Sequence, residues 1–173
     1  MFLSCEGALH WAYSISARPI IKMAVINNMR QGPGYRYPNE LLDDLNVQDR
    51  HGQAALIIGL VDSLSDPAAQ EFVKARFGRR TGQEDIRHLV YRGCEALGLG
   101  LEKQNVVYRI MRSYFFGEMG IRTIMREMGC RHQYAIMTRN CLFDLLDIIN
   151  LQAMSEMTQM LRERGLIEAS RYG

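Results

Sequence analysis

Six polar side chains crowd into nine residues: Arg131, His132, Gln133, Tyr134, Thr138 and Arg139. Guanidinium groups donate to phosphate and, in pairs, to guanine edges. A glutamine amide matches adenine, and hydroxyl and imidazole groups reach phosphate or base. The chemistry these types suit together is hydrogen bonding to a DNA duplex. Arg122 and Arg126 stand four apart just upstream, a spacing that puts both on one helical face and suits phosphate contact.

Bond-making chemistry finds no comparable set. His10, His51, His88 and His132 fall in four separate segments, none beside a Ser or Cys in a nucleophile turn. Cys5, Cys94, Cys130 and Cys141 form no CxxC pair, and Cys130 with His132 lacks the second pair a zinc site needs. Asp43, Asp44 and Asp49 cluster at a helix start, where acids meet the N-terminal dipole favourably. Gly98 and Gly100 lack the preceding strand and the lysine of a phosphate loop. The expectation is no catalytic residue, no metal and no cofactor, hence not an enzyme. Reduced thiols and a cytoplasmic location go with it.

The elements that must position the polar set are helices. Ile121, Ile124, Met125 and Met128 follow the spacing of one buried helical stripe, and Gly129 then supplies the positive φ at which such a helix ends. Apolar positions resume at Ile136, Met137, Cys141, Leu142, Leu145, Leu146, Ile148 and Ile149, which predicts a second helix of roughly nineteen residues. Residues 121–149 thus read as a helix-turn-helix whose second helix opens with the basic cluster, the end that enters a major groove in this motif. Asp144 and Asp147 end the contact near Asn140. An ordinary helical hairpin with a solvated basic face has the same elements, so that alternative stays open.

Elsewhere the pattern is also helical. Glu6–Ser16 carries Trp11, and Pro19–Met29 is a short apolar segment. Gln31–Asn39 holds two Gly, two Pro and two Tyr, with Arg30 and Arg36 beside Tyr35 and Tyr37, able to stack on bases. Helical spacing returns over 46–64. Asp66-Pro67 then caps and opens a helix to Gly78, and another follows over 83–98, with Arg87, His88 and Arg92 outward. The basic turn Arg79-Arg80 between these two makes 67–98 a weaker helix-turn-helix candidate, with Arg79, Arg80 and Arg87 as a second nucleic-acid contact. Helices over Glu102–Phe116 and Leu151–Arg164 complete an all-α, multi-helix bundle. By composition the chain divides into an N-terminal helical segment (1–30), a Pro/Gly/Tyr-rich loop (31–45) and a helical domain (46–173).

Charge is segregated along the 173 residues. Residues 40–71 carry seven acids against one arginine, whereas 72–140 carry thirteen Lys/Arg against six acids. Such a division suits a nucleic-acid face plus an acidic face for a basic partner. No apolar run approaches a membrane span, so a membrane is not expected as a partner.

The run YFFGEMGIRTIMREMGCRHQYAIMTRNCLFDLLDII resembles the helix-turn-helix of the phage Q-type transcription antitermination proteins, itself similar to the fourth domain of bacterial sigma factors. EGALHWAYS resembles their opening tryptophan-bearing helix, and QDRHGQAALIIGLVDSLSDPAAQEFVKARFG their central helix pair. Met125 stands where that motif prefers alanine, and the zinc-binding cysteines of one branch are missing. The resemblance implies a sigma-domain-4-like motif with a long recognition helix. It also implies double-stranded DNA near a promoter, RNA polymerase (core or sigma) and nascent RNA as partners, and read-through of terminators as the activity. An ordinary repressor or activator shares every feature of the motif, and a helical protein adaptor without nucleic-acid binding is the third reading.

Overall fold

The computed structural model describes residues 2–17, 47–117 and 119–167. Pro19–Met29, the Gln31–Asn39 loop with Arg30 and Arg36, and Asp43-Asp44 lie outside them. The chain is all-α: the described residues form seven α-helices and no strand, only an isolated bridge between Phe2 and Ile167.

Two compact units are present. One takes the residues up to Leu60 together with those from Met160 onward. Its helix α1 (Cys5–Ser16) begins at Ser4, whose Oγ accepts from the Gly7 N–H at 3.1 Å, and buries Ala8, Leu9 and Ala12. Phe2 sits against the Trp11 ring at 5.2 Å and donates its N–H to the Leu166 carbonyl. Helix α2 (Val47–Asp62) buries Ala54 and Ile57 here.

The other unit, Val61–Gln159, holds α3 (Pro67–Gly78), α4 (Arg87–Ala96), α5 (Gln104–Phe116), α6 (Ile121–Met128) and most of α7 (His132–Glu163). Asp66 caps α3 by accepting from the Ala68 N–H at 3.0 Å, with Pro67 at the first position, as the sequence predicts. Helix α4 starts at Arg87 rather than near Gln83, because Asp85 accepts from the Gly82 N–H and holds 83–86 as turns.

The two helices expected on either side of Asn150 are one. Nothing between His132 and Glu163 removes a backbone donor or favours a break, so α7 runs 32 residues. Its buried stripe in this unit is Ala135, Thr138, Leu142, Leu146, Ile149, Ala153 and Met157. Met137, Cys141 and Ile148, which the apolar pattern placed inward, are exposed, since the stripe is narrower than the pattern.

Gly93 lets α4 come close to its neighbours. A Cβ there would lie 2.6 Å from Met111 Cε and 2.9 Å from both Leu142 Cδ2 and Val107 Cγ1. Gly93→Val is therefore expected to cost on the order of 1–3 kcal/mol through overpacking, read as a lower urea midpoint. An unchanged midpoint would show that these side chains yield freely.

Candidate nucleic-acid interface

Helix α6 is eight residues long and ends at Gly129, whose φ of 64° places it in the left-handed region. Its N–H, and that of Cys130 at 3.1 Å, turn back to the Met125 carbonyl. Three residues, Gly129 to Arg131, separate the helices. The Arg131 carbonyl then accepts from the Ala135 N–H at 3.0 Å, so Arg131 stands at the mouth of α7. A short helix, a glycine-bearing turn of three residues and a long helix follow one another as the sequence suggests.

Burying the α7 stripe fixes the helix in rotation, and that decides which side chains face outward. Arg131, His132, Gln133 and Tyr134 are exposed, with Tyr134 at 47%. On α6, Arg122 and Arg126 are exposed as well. Among the described residues none of the three arginines, nor His132 or Gln133, has an ion pair or hydrogen-bond partner. The one carboxylate of α6, Glu127, is held by Arg109 of α5.

Two expected contacts are corrected. Thr138 is 2% exposed and belongs to the buried stripe, four residues before Leu142, so its hydroxyl cannot reach a groove. Arg139 is half-buried: its guanidinium lies over the Phe143 ring at 5.9 Å and reaches Asn140 Oδ1, so it runs along its own helix. Met137, Asn140 and Cys141 are exposed and continue the outward face beyond Gln133 and Tyr134. Counting by turns from Gln133 finds them, but Met137 and Cys141 are apolar and their spacing points to the core.

The 67–98 candidate differs more. Its helices are joined by eight residues, 79–86, not by the short turn of the motif. His88 and Arg92, expected to be available outside, are engaged: His88 Nδ1 lies 2.6 Å from Glu71 Oε1, and Arg92 Nη1 donates to Asp66 Oδ2 at 2.8 Å. Glu71 also accepts from the Leu89 N–H at 3.0 Å, satisfying a first-turn donor of α4. Arg79, Arg80 and Arg87 remain exposed, yet not as one surface. Arg80 lines a cleft of mixed charge with Glu71, Lys74, Glu84, Asp85 and His88. Arg79 lines another, and Arg87 a third.

Of the acidic block, the described Asp62, Asp66 and Glu71 are likewise not a free face. Asp66 and Glu71 are tied to α4, and Asp62 pairs with Lys74 at 2.6 Å. All four cysteines are free thiols; burial, then Glu102, pushes the Cys94 thiol up. Among the described residues no group of three or more His, Cys, Asp or Glu is placed to hold a metal ion, and no helix is long and apolar enough to cross a membrane.

Compared with protein-family models, curated proteins and solved structures, the chain matches none.

Gly129 has open space where a Cβ would be, so its constraint is φ alone. Gly129→Ala is expected to lower stability by roughly 1–2 kcal/mol, the cost of a left-handed residue bearing a Cβ. A loss near zero in urea unfolding would show that the turn relaxes.

Tyr114 of α5 donates its hydroxyl to Asp147 of α7. Burial, then that hydrogen bond and the Asp147 charge, push its pKa up from 10.0 to about 12, against a smaller opposing effect of Arg76. The folded-state value is the higher one, so the stabilisation is complete below pH 10 and is lost as the pH rises toward 12. Unfolding midpoints should fall across that window in the wild type and less steeply in Tyr114→Phe. Equal slopes would remove Tyr114 as the cause.

Proposed function

We propose that the chain is a sequence-specific DNA-binding factor that reads a promoter-proximal duplex with the start of α7 and acts on RNA polymerase as a transcription antitermination factor of the Q type. The observation that carries the DNA part is the outward cluster of Arg122, Arg126, Arg131, His132 and Gln133. These side chains are without internal partners among the described residues, while Arg92, Arg109, Lys74 and His88 of the same unit are each paired with a carboxylate. A helix whose first turn offers guanidinium and amide groups, entered from a shorter helix carrying two arginines on one face, suits base-edge and phosphate contact together.

The polymerase part rests on the resemblance of residues 114–149 to the Q-type helix-turn-helix. In this reading the factor docks beside a promoter, engages polymerase held at a pause, core or sigma, and stays with it. It narrows the RNA exit path so that terminator hairpins do not form. Tyr134, Met137 and Asn140 join Gln133 as the base-facing set, and Thr138 and Arg139 take no part in contact.

With purified polymerase and a template bearing the cognate promoter and a downstream terminator, the protein is expected to raise read-through. Arg131→Ala or Gln133→Ala should weaken binding to the specific duplex by on the order of 1–3 kcal/mol and reduce read-through in step. Binding should also fall steeply with salt. Duplex binding without read-through would make the protein an ordinary repressor or activator. Absence of duplex binding at low salt would leave a protein adaptor.

A further inference from the structure

A cleft of about 610 Å³ opens where α3 and α5 end, lined by Ala75, Arg76, Arg79, Tyr114, Phe115 and Phe116. Among the described residues, the lining holds two guanidinium groups and no carboxylate. A third guanidinium, that of Arg112, lies over the Phe116 ring at 5.8 Å. The aromatic wall is built in: Phe115 packs on Phe72 at 5.4 Å and edge-on to Tyr114 at 5.3 Å. Phe116 is different, with 43% of its surface exposed.

Arg79 is the one non-glycine residue with positive φ among the described residues, at 55°. It occupies the position just past a helix where glycine is usual, and a Cβ there is unfavourable. The fold thus keeps a long cationic side chain where a smaller residue would be more comfortable. Its guanidinium has no partner among the described residues, whereas Arg76 donates to Asn150 Oδ1 at 2.8 Å and stacks on Phe77.

The Arg79 guanidinium, without a partner among the described residues, calls for an anion, and an exposed ring calls for a flat apolar face. An unpaired nucleotide carries both, joined at the distance of one sugar. A base inside a duplex has neither face free, and an acidic peptide supplies the charge without the plane. We propose that this cleft binds an unpaired nucleotide of a single-stranded nucleic acid, with its base against Phe116 and its phosphate on Arg79. The site stands on its own observations and does not depend on the duplex-reading role of α7. Phe116 precedes Ile121, the start of α6, by only five residues, so a strand leaving a duplex held at α6 and α7 has a short path to it.

The experiment is fluorescence anisotropy of the full chain with labelled oligo(dT) and oligo(U) of roughly twelve nucleotides, and with a hairpin duplex, at low salt. Both single strands bind if base and phosphate are the recognised groups; preference for one identifies DNA or RNA as the source. Phe116→Leu, which keeps apolar bulk and removes the plane, is expected to weaken single-strand binding about five-fold or more. Arg79→Gly is expected to weaken it too, while its thermal midpoint stays level or rises, because glycine accepts the left-handed backbone. Arg131→Ala is expected to leave single-strand affinity unchanged. The proposal is overturned if neither oligonucleotide binds. It is also overturned if Phe116→Leu and Arg79→Gly bind like the wild type, or if poly-glutamate competes as well as the oligonucleotides, which would mark an acidic-peptide site. Loss of duplex binding in Arg131→Ala with single-strand binding intact would separate this site from the α7 surface.

Discussion

Burial of one stripe of α7 governs most of what the larger unit can present. Leu142, Leu146, Ile149 and Met157 are at most 1% exposed, with Ala135 before them and Ala153 between them also buried. Each large apolar side chain removed from water contributes roughly 1.5–3 kcal/mol, so rotating the helix about its axis would forfeit several at once. The phase of the helix is therefore set by its apolar middle. The basic first turn is carried along with it: Arg131 to Tyr134 face solvent because Ala135, Thr138 and Leu142 cannot.

Charge then determines which of the outward groups remain usable. Asp62, Asp66, Glu71 and Glu127 hold Lys74, Arg92, His88 and Arg109 in pairs between or beside helices. Partly exposed pairs of this kind stabilise little, on the order of 0–1 kcal/mol each. Their larger effect is selective. They engage His88 and Arg92 of α4 and Arg109 of α5, whereas Arg122, Arg126 and Arg131 at the α6–α7 turn and Arg79 in the cleft beside Phe116 have no partner among the described residues.

Much of this was legible in the residues. Asp66-Pro67 opens α3 and Gly129 closes α6, because capping and left-handed termination at glycine are local chemistry; α3 ends at Gly78, but the left-handed residue there is Arg79. Other features were not, since they depend on distant partners. Nothing in Thr138 itself says that it faces inward; only the register set by Leu142 and Leu146 does. His88 and Arg92 look free until Glu71 and Asp66 are brought against them. The sequence pattern divides α7 at Asn150, although no glycine or proline interrupts the helix there. Phe116 reads in sequence as the end of a helix, and its place beside Arg79 appears only when α3 and α5 end together.

The central claim, that the start of α7 lies against duplex DNA, is tested most directly by a tethered cleavage reagent on one helix. Met137 and Leu151 are almost equally exposed, at 68% and 69%, and are separated by about 21 Å of helix. An iron chelate attached to Met137→Cys or to Leu151→Cys, with Cys130 and Cys141 replaced by serine, is bound to duplex enriched by the protein from a random pool. Cleavage confined to a few base pairs from position 137, and absent from position 151, is the expected result. Equal cleavage from both positions, or cleavage from 151 alone, would contradict it.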